Sequence, residues 1–264
     1  MKYGFATAFV KSQNIFDYLG AIKKAGYDYV ELPGTLIGSL ADSQFSLLTE
    51  YLLSINLKCE RICALFPSWL NCFTESENRL NTYIDILFSR FESLGVKQIG
   101  FGSGPSRTIP DEWSVREGIC AFSEVLIKSF LPRLKKSCML LNIEPLRSSE
   151  TNLINTVSEA AELVESLRDK HFGIVADTLH MMSMNENPIK VTSNYLQYIN
   201  HLHVSELNRA LPTNKFSDQC LNIINSLLLY GYDKSISFET SCEQLSDSAL
   251  ALELIKNQVS SFRG

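Results

Sequence analysis

The 264-residue sequence has no run of 18 apolar residues, no C-x-x-C pair and no basic cluster, and each absence removes a class of function. Without a long apolar run there is no candidate transmembrane helix. The opening stretch MKYGFATAFVKSQN is broken by Lys11 and lacks the continuous apolar segment of a signal peptide, so a cytoplasmic protein is expected. Seven cysteines (Cys59, Cys63, Cys72, Cys120, Cys138, Cys220, Cys242) are an odd number without metal-site spacing, which predicts reduced thiols serving mostly as small core side chains. Net charge is −5 and the 24 Lys and Arg are scattered, so no stripe exists to neutralise a phosphate backbone or an anionic lipid surface. Neither nucleic acid nor a membrane is expected as a partner. Histidine is scarce, with only 4 in the chain, so where each one falls carries information.

What is present is a 45% hydrophobic, 20% charged composition suited to a large packed core. Strand-like apolar runs recur at Tyr3 to Phe9, Tyr29 to Pro33, Cys59 to Phe66, Gln98 to Gly102, Met139 to Pro145, Phe172 to Asp177, His201 to Ser205 and Ile236 to Glu239. Between them, stretches such as NIFDYLGAIKKAG, SENRLNTYIDILFSRFESLG and TVSEAAELVESLRD carry apolar residues at three- and four-residue spacing, with Gly26 and Gly95 where helices should stop. Eight strand–helix units of this kind predict a single α/β domain over residues 1–264, a (β/α)8 TIM barrel. An open doubly wound sheet is the alternative, but no G-x-G-x-x-G turn follows the first strand to anchor a dinucleotide.

A barrel keeps its chemistry at the carboxyl ends of its strands. Four consecutive strands end in candidate metal ligands: LLNIEPL in Glu144, GIVADTLHM in Asp177, HLHVSE with His203, and SISFET in Glu239. Their separations of 33, 26 and 36 residues each match one strand–helix unit, so the four can converge on one rim. Taken singly, each acid could be a helix cap or half of an ion pair, and His203 a core imidazole. Together they form a cluster that cannot stand alone, since two carboxylates about 4 Å apart repel by roughly 4 kcal/mol at an effective dielectric near 20. A cation or raised pKa values must relieve this. Three oxygen donors and one imidazole favour one hard divalent ion, Mn²⁺ first, with Mg²⁺ or Co²⁺ also suited, over a structural zinc.

The stretches LNIEPLRSSETNLINT, VADTLHM, HLHVSELNR and SISFET, with AGYDYVELP and FGSGPSRTIPDEWS, resemble the sugar-phosphate isomerase/epimerase superfamily of xylose isomerase-like barrels, and within it the ketose 3-epimerases. The resemblance implies Glu144, Asp177, His203 and Glu239 as metal ligands and Glu150, His180 and Arg209 as substrate-binding residues, while the placement of Glu144 and Glu239 on non-adjacent strands makes them the expected catalytic pair, flanking the substrate from opposite faces. It also matches Glu31 to a common acid of the superfamily. Where an Asn-Arg pair often follows E-P-L in the epimerases, this chain has Arg147 and Ser148. The implied substrate is a small sugar or sugar phosphate, the implied reaction proton transfer through an enediolate, and a homo-oligomer is compatible with both.

Each helper also has a plain structural reading. Arg209 could be a surface loop residue, and Glu150 could cap a helix starting near Asn152. Phe66, Trp69 and Trp113 could wall the sugar's C–H face, and GFGSGPSRT with Arg107 could cradle a phosphate, although it lacks P-loop spacing. Aldose–ketose isomerisation or dehydration of a polyol or keto acid would begin with the same proton loss. A three-zinc abasic-site endonuclease of the same barrel type is disfavoured, because ICALFP and IGFGSG bring no histidine to the third and fourth strand ends. A non-catalytic sugar-binding protein would have little use for the charged quartet.

Overall fold

The computed structural model describes residues 1–9, 14–242 and 246–263. Eight parallel strands close a barrel in sequence order: β1 (Lys2–Ala6), β2 (Tyr29–Pro33), β3 (Lys58–Cys63), β4 (Gln98–Phe101), β5 (Leu140–Ile143), β6 (Phe172–Asp177), β7 (Ile199–Val204) and β8 (Ser235–Phe238). The helices between them are α1 (Ile15–Ala25), α2 (Gly34–Ser39), α3 (Asp42–Ser54), α4 (Glu77–Leu94), α5 (Val115–Val125), α6 (Leu131–Ser137), α7 (Val157–Leu167), α8 (Thr178–Ser183), α9 (Pro188–Tyr195), α10 (Asp218–Leu229) and α11 (Asp247–Arg263). The expected barrel is the observed one.

Local chemistry sets the boundaries. Gly26 (φ 92) and Gly95 (φ 76) close α1 and α4 in the left-handed conformation, as their positions predicted. Asn14, Ser76, Ser114 and Thr156 accept backbone N–H groups at helix starts, the last two in capping boxes with Glu117 and Glu159. Between α5 and α6 the chain passes through a π-helical stretch, Leu126–Phe130, just before Pro132, which has no N–H to continue the ladder. β1 ends at Ala6, earlier than its apolar run suggests, and just beyond it Thr7 donates both its N–H and its hydroxyl to the Glu31 carbonyl of β2.

The two faces of the barrel wall divide the labour. Val30, Leu32, Ile62, Ile99, Phe101, Leu141, Ile143, Ile174, Leu202, Val204, Ile236 and Phe238 join the buried apolar cluster that packs sheet against helices. Alternating with them, Glu31, Arg61, Asn142, Asp177, His201, His203, Ser235 and Ser237 are buried polar residues. The barrel interior is therefore polar, unlike the layers of Val, Ile and Leu that commonly fill this fold. The cysteines are free as expected, but Cys120 and Cys138 are exposed rather than core.

Candidate active site

Strand register builds the site. Asp177 pairs with His203 across β6 and β7, and His203 with Ser237 across β7 and β8, so Glu239, two residues beyond Ser237, shares their face. An irregularity between Ile174 and Val175 brings β6 and β7 into this phase. Glu144 follows β5 directly and precedes Pro145, which ends the strand and restricts Glu144 to extended backbone. One ligand-type atom from each of Glu144, Asp177, His203 and Glu239 lies within 4.8 Å of the others, and all four residues are buried. The sequence-predicted quartet meets at one point.

Asp177 shows why an acid and an imidazole stand three residues apart. Its Oδ1 accepts the Leu179 N–H at 2.6 Å, capping α8, while Oδ2 is buried without a hydrogen-bond partner. The first turn of α8 then brings His180 back over the cap, its Nε2 3.9 Å from that oxygen. His180 Nδ1 accepts the Arg147 N–H at 3.2 Å, and its Nε2 faces the site, 3.4 Å from Arg209 Nη2.

Arg209 occupies a turn in left-handed backbone (φ 57) and is not a surface residue. Its Nη1 donates to Glu239 Oε2 at 2.9 Å, its Nη2 lies 3.9 Å from Glu150 Oε1, and the guanidinium stacks 4.0 Å above the Phe9 ring. Glu150 is held by Arg147 Nε at 2.7 Å. It does not cap a helix near Asn152, because α7 starts only at Val157, capped by Thr156.

Charge balance is tight. Burial raises the Glu239 carboxyl to about 7, with Glu144 and Asp177 adding to the rise against His203 and Arg209. Burial also pushes on Glu144, but the hydrogen bond and charge of His203 bring it below the usual carboxylate range. Desolvation works against charge on His203, yet Glu31, Glu239 and Glu144 raise it well above an ordinary histidine.

Above the quartet is a cavity of about 160 Å³. Glu144, Glu239, Glu150, His180 and Arg209 form its polar side, and Ala8, Phe9, Ala64, Phe66 and Leu146 its apolar side. Of the three aromatics proposed as a wall, only Phe66 reaches it. Trp69 is 56% exposed with Arg79 stacked at 5.0 Å, and Trp113 packs on Phe73 beside a different surface hollow. Phe9, which sequence periodicity placed inside a strand, takes the expected aromatic role. Arg107 does not serve the phosphate cradle, although Ser103 and Gly104 of the same loop line the cavity. Arg107 is fully buried, its Nε donating to the Gly102 carbonyl (2.8 Å) and its Nη2 to the Glu144 carbonyl (2.6 Å), which ties the β4 and β5 ends together. Its guanidinium is a strut under the site.

The family model for the xylose isomerase-like TIM barrel matches residues 19–258. The chain belongs to that family. This xylose isomerase-like barrel is 22% identical to D-psicose 3-epimerase of Enterocloster bolteae over 229 residues, 80% of this chain and 73% of that protein. It is also 22% identical to 3-dehydro-D-guloside 4-epimerase of Escherichia coli over 227 residues, 80% of this chain and 82% of that one. Among solved folds, the IOLI protein with a bound zinc atom superimposes with a TM-score of 0.77 at 20% identity, covering 99% of both chains. Among the described residues, no helix is long and apolar enough to cross a membrane.

Proposed function

We propose that this barrel is a metal-dependent sugar epimerase that removes and returns a proton at the carbon beside a ketose carbonyl, with 3-epimerisation of a small unphosphorylated ketose as its reaction. The observation that carries the reading is the convergence of Glu144, Asp177, His203 and Glu239 within 4.8 Å beneath a sugar-sized cavity.

The donor set fits a divalent cation: three carboxylates and an imidazole, with the Asp177 Oδ2 atom buried and unpartnered among them. When bound by these four residues, Mn²⁺ would supply a Lewis acid that polarises the ketose carbonyl and acidifies the adjacent C–H. Glu144 and Glu239 come from β5 and β8, on separated sectors of the rim, so one can take the proton while the other returns one from the opposite face. Inversion at that carbon follows. Arg209 holds Glu239 by its Oε2, leaving the carboxylate aimed at the cavity. His180 presents its Nε2 to a sugar hydroxyl, and Glu150, fixed by Arg147, can accept from another. Ala64, Phe66 and Leu146 provide an apolar surface for the C–H face. Arg209 is the one cation among the described lining residues and is already paired with Glu239, which favours a neutral sugar over a sugar phosphate.

A second reading, 4-epimerisation of a keto-glycoside, is favoured by the equal similarity to the guloside 4-epimerase and needs the same proton chemistry. Incubation with Mn²⁺ in D₂O and a panel of free ketoses and keto-glycosides separates them: deuterium at C3 of a ketose supports the first, at C4 of a keto-glycoside the second. Label at C2 of an aldose product would identify an isomerase instead. Glu144→Gln and Glu239→Gln should each lower turnover by roughly 10²–10⁴-fold with unchanged circular dichroism. A near-normal rate in either variant removes that residue from proton transfer.

A further inference from the structure

Glu31 lies inside β2, 1% exposed, and takes no part in the chemistry above. We infer that it is a positioning residue that fixes the tautomer and aim of His203, an inference that rests on the metal-centre reading. The His203 Nε2 atom lies 3.0 Å from Glu31 Oε2, while Nδ1 faces the quartet, 3.1 Å from Glu144 Oε1 and 3.9 Å from Glu239 Oε2. A neutral imidazole carries its proton on one nitrogen only, and a ligand nitrogen must present a lone pair. A buried carboxylate accepting from Nε2–H keeps the proton on that side and leaves Nδ1 bare toward the three acids.

The acid is itself held. Its Oε1 accepts the Ser237 hydroxyl, which is 2.8 Å from the Tyr29 hydroxyl, and the Arg61 guanidinium stacks 4.5 Å from the Tyr29 ring. Ser237 is the register neighbour of His203, so the same strand pairing that places the ligand places its support. A register irregularity at Val30/Glu31 pairs Glu31 with Arg61 and puts both on the inner face. His201 Nε2 also lies 2.7 Å from Glu31 Oε1, so Glu31, His201 and His203 could instead be three ligands of a second ion. Against this, the Arg61 guanidinium lines the same inner hollow as Glu31 and His201, and its charge would oppose a second cation there.

Calorimetric titration of the metal-stripped full chain with Mn²⁺ tests this. The wild type should bind one ion per chain, Glu31→Gln should bind one ion about 10–100-fold more weakly, and Glu31→Asp, which keeps the charge, should recover part of the loss. Wild-type affinity in a folded Glu31→Gln overturns the inference and leaves the metal centre standing. Two ions per wild-type chain with one lost in Glu31→Gln makes Glu31 a ligand and also overturns it. No binding by the wild type sinks the metal centre itself, and the inference with it. Should Glu31→Gln not fold, nitrogen NMR of the Zn²⁺-loaded wild type decides: a His203 proton on Nε2 supports the role, and one on Nδ1 refutes it.

Discussion

Asp177→Asn separates the cost of the acid cluster from its use. Asparagine caps helices as well as aspartate does, so the 2.6 Å bond from Leu179 to Oδ1 survives. The change falls on Oδ2, which is buried, unpartnered, and set among Glu144 and Glu239 with ligand atoms at most 4.8 Å apart. At that separation each pair of carboxylates repels by about 3.5 kcal/mol at an effective dielectric near 20. Removing one charge abolishes two such repulsions, but it also forfeits the attraction of His203 and Arg209, and Glu239 bears only part of a charge near pH 7. We expect a net gain of about 2 kcal/mol in the metal-free protein, or roughly 4–8 °C in Tm for a chain of this size. The order should invert with metal: Mn²⁺ at a hundred times its dissociation constant adds about 2.7 kcal/mol to the wild type and much less to the variant. Differential scanning calorimetry in EDTA and in Mn²⁺ reads both. A variant that melts below the wild type in EDTA, or an equal response of the two proteins to Mn²⁺, would refute the repulsion argument.

Two further outcomes are expected. Burial raises the Glu186 carboxyl to about 7, partly offset by the N–H of Val157, which it caps at 3.0 Å, and reinforced by Glu159. The folded chain thus holds this proton more tightly than the unfolded one, so its contribution to stability is complete below the unfolded value near 4.5 and is lost as pH rises through about 7. Glu186→Gln should match the wild type in unfolding free energy at pH 4 and exceed it at pH 8 by about 1 kcal/mol, a figure kept small because the side chain is partly exposed; an equal difference at both pH values argues against this. Arg107→Lys replaces a two-armed fork with a point charge, leaving one of the Gly102 and Glu144 carbonyls without a donor. It should cost about 2–3 kcal/mol in urea unfolding and lower kcat through the displaced Glu144, and an unchanged midpoint would show that the strut carries no stability.

The strand-end quartet was legible because its residues recur once per strand–helix unit and the fold dictates where strand ends go. Other parts depended on contacts that periodicity does not encode. Arg107 faces the protein because the Gly102 and Glu144 carbonyls take its donors, while Gly102, lacking a Cβ, leaves room for the Glu144 carboxylate on the other side. Glu150 looked like a cap because SSETNLINT is rich in capping residues, but Asn152 and Asn155 spend their side chains on the carbonyls of Ile109, Leu146 and Thr151, holding the loop open until Thr156. Phe9 was hidden by an apolar run that outlasts its strand. Glu31 did leave a signal, an acid in the middle of YVELP, but its partners become visible only once the register shift against β3 is known.

On the proposed metal-centre reading, the polar interior follows from one demand. A histidine that offers one nitrogen to an ion needs its other nitrogen answered from the opposite side, and in a barrel that side is the floor. Once Glu31 stands there as an anion, apolar neighbours would leave it unsolvated, a penalty of several kcal/mol, so Ser237, Tyr29, His201 and Arg61 must occupy positions that Val or Leu fill in other barrels. The helix–sheet layer is left to hold the fold, which matches the division seen here: the apolar cluster contains the outward residues of the strands and omits Val175, an apolar residue of the inner face. Stability and chemistry are thereby assigned to opposite faces of one sheet, and a substitution on the inner face can abolish the reaction while leaving the barrel intact.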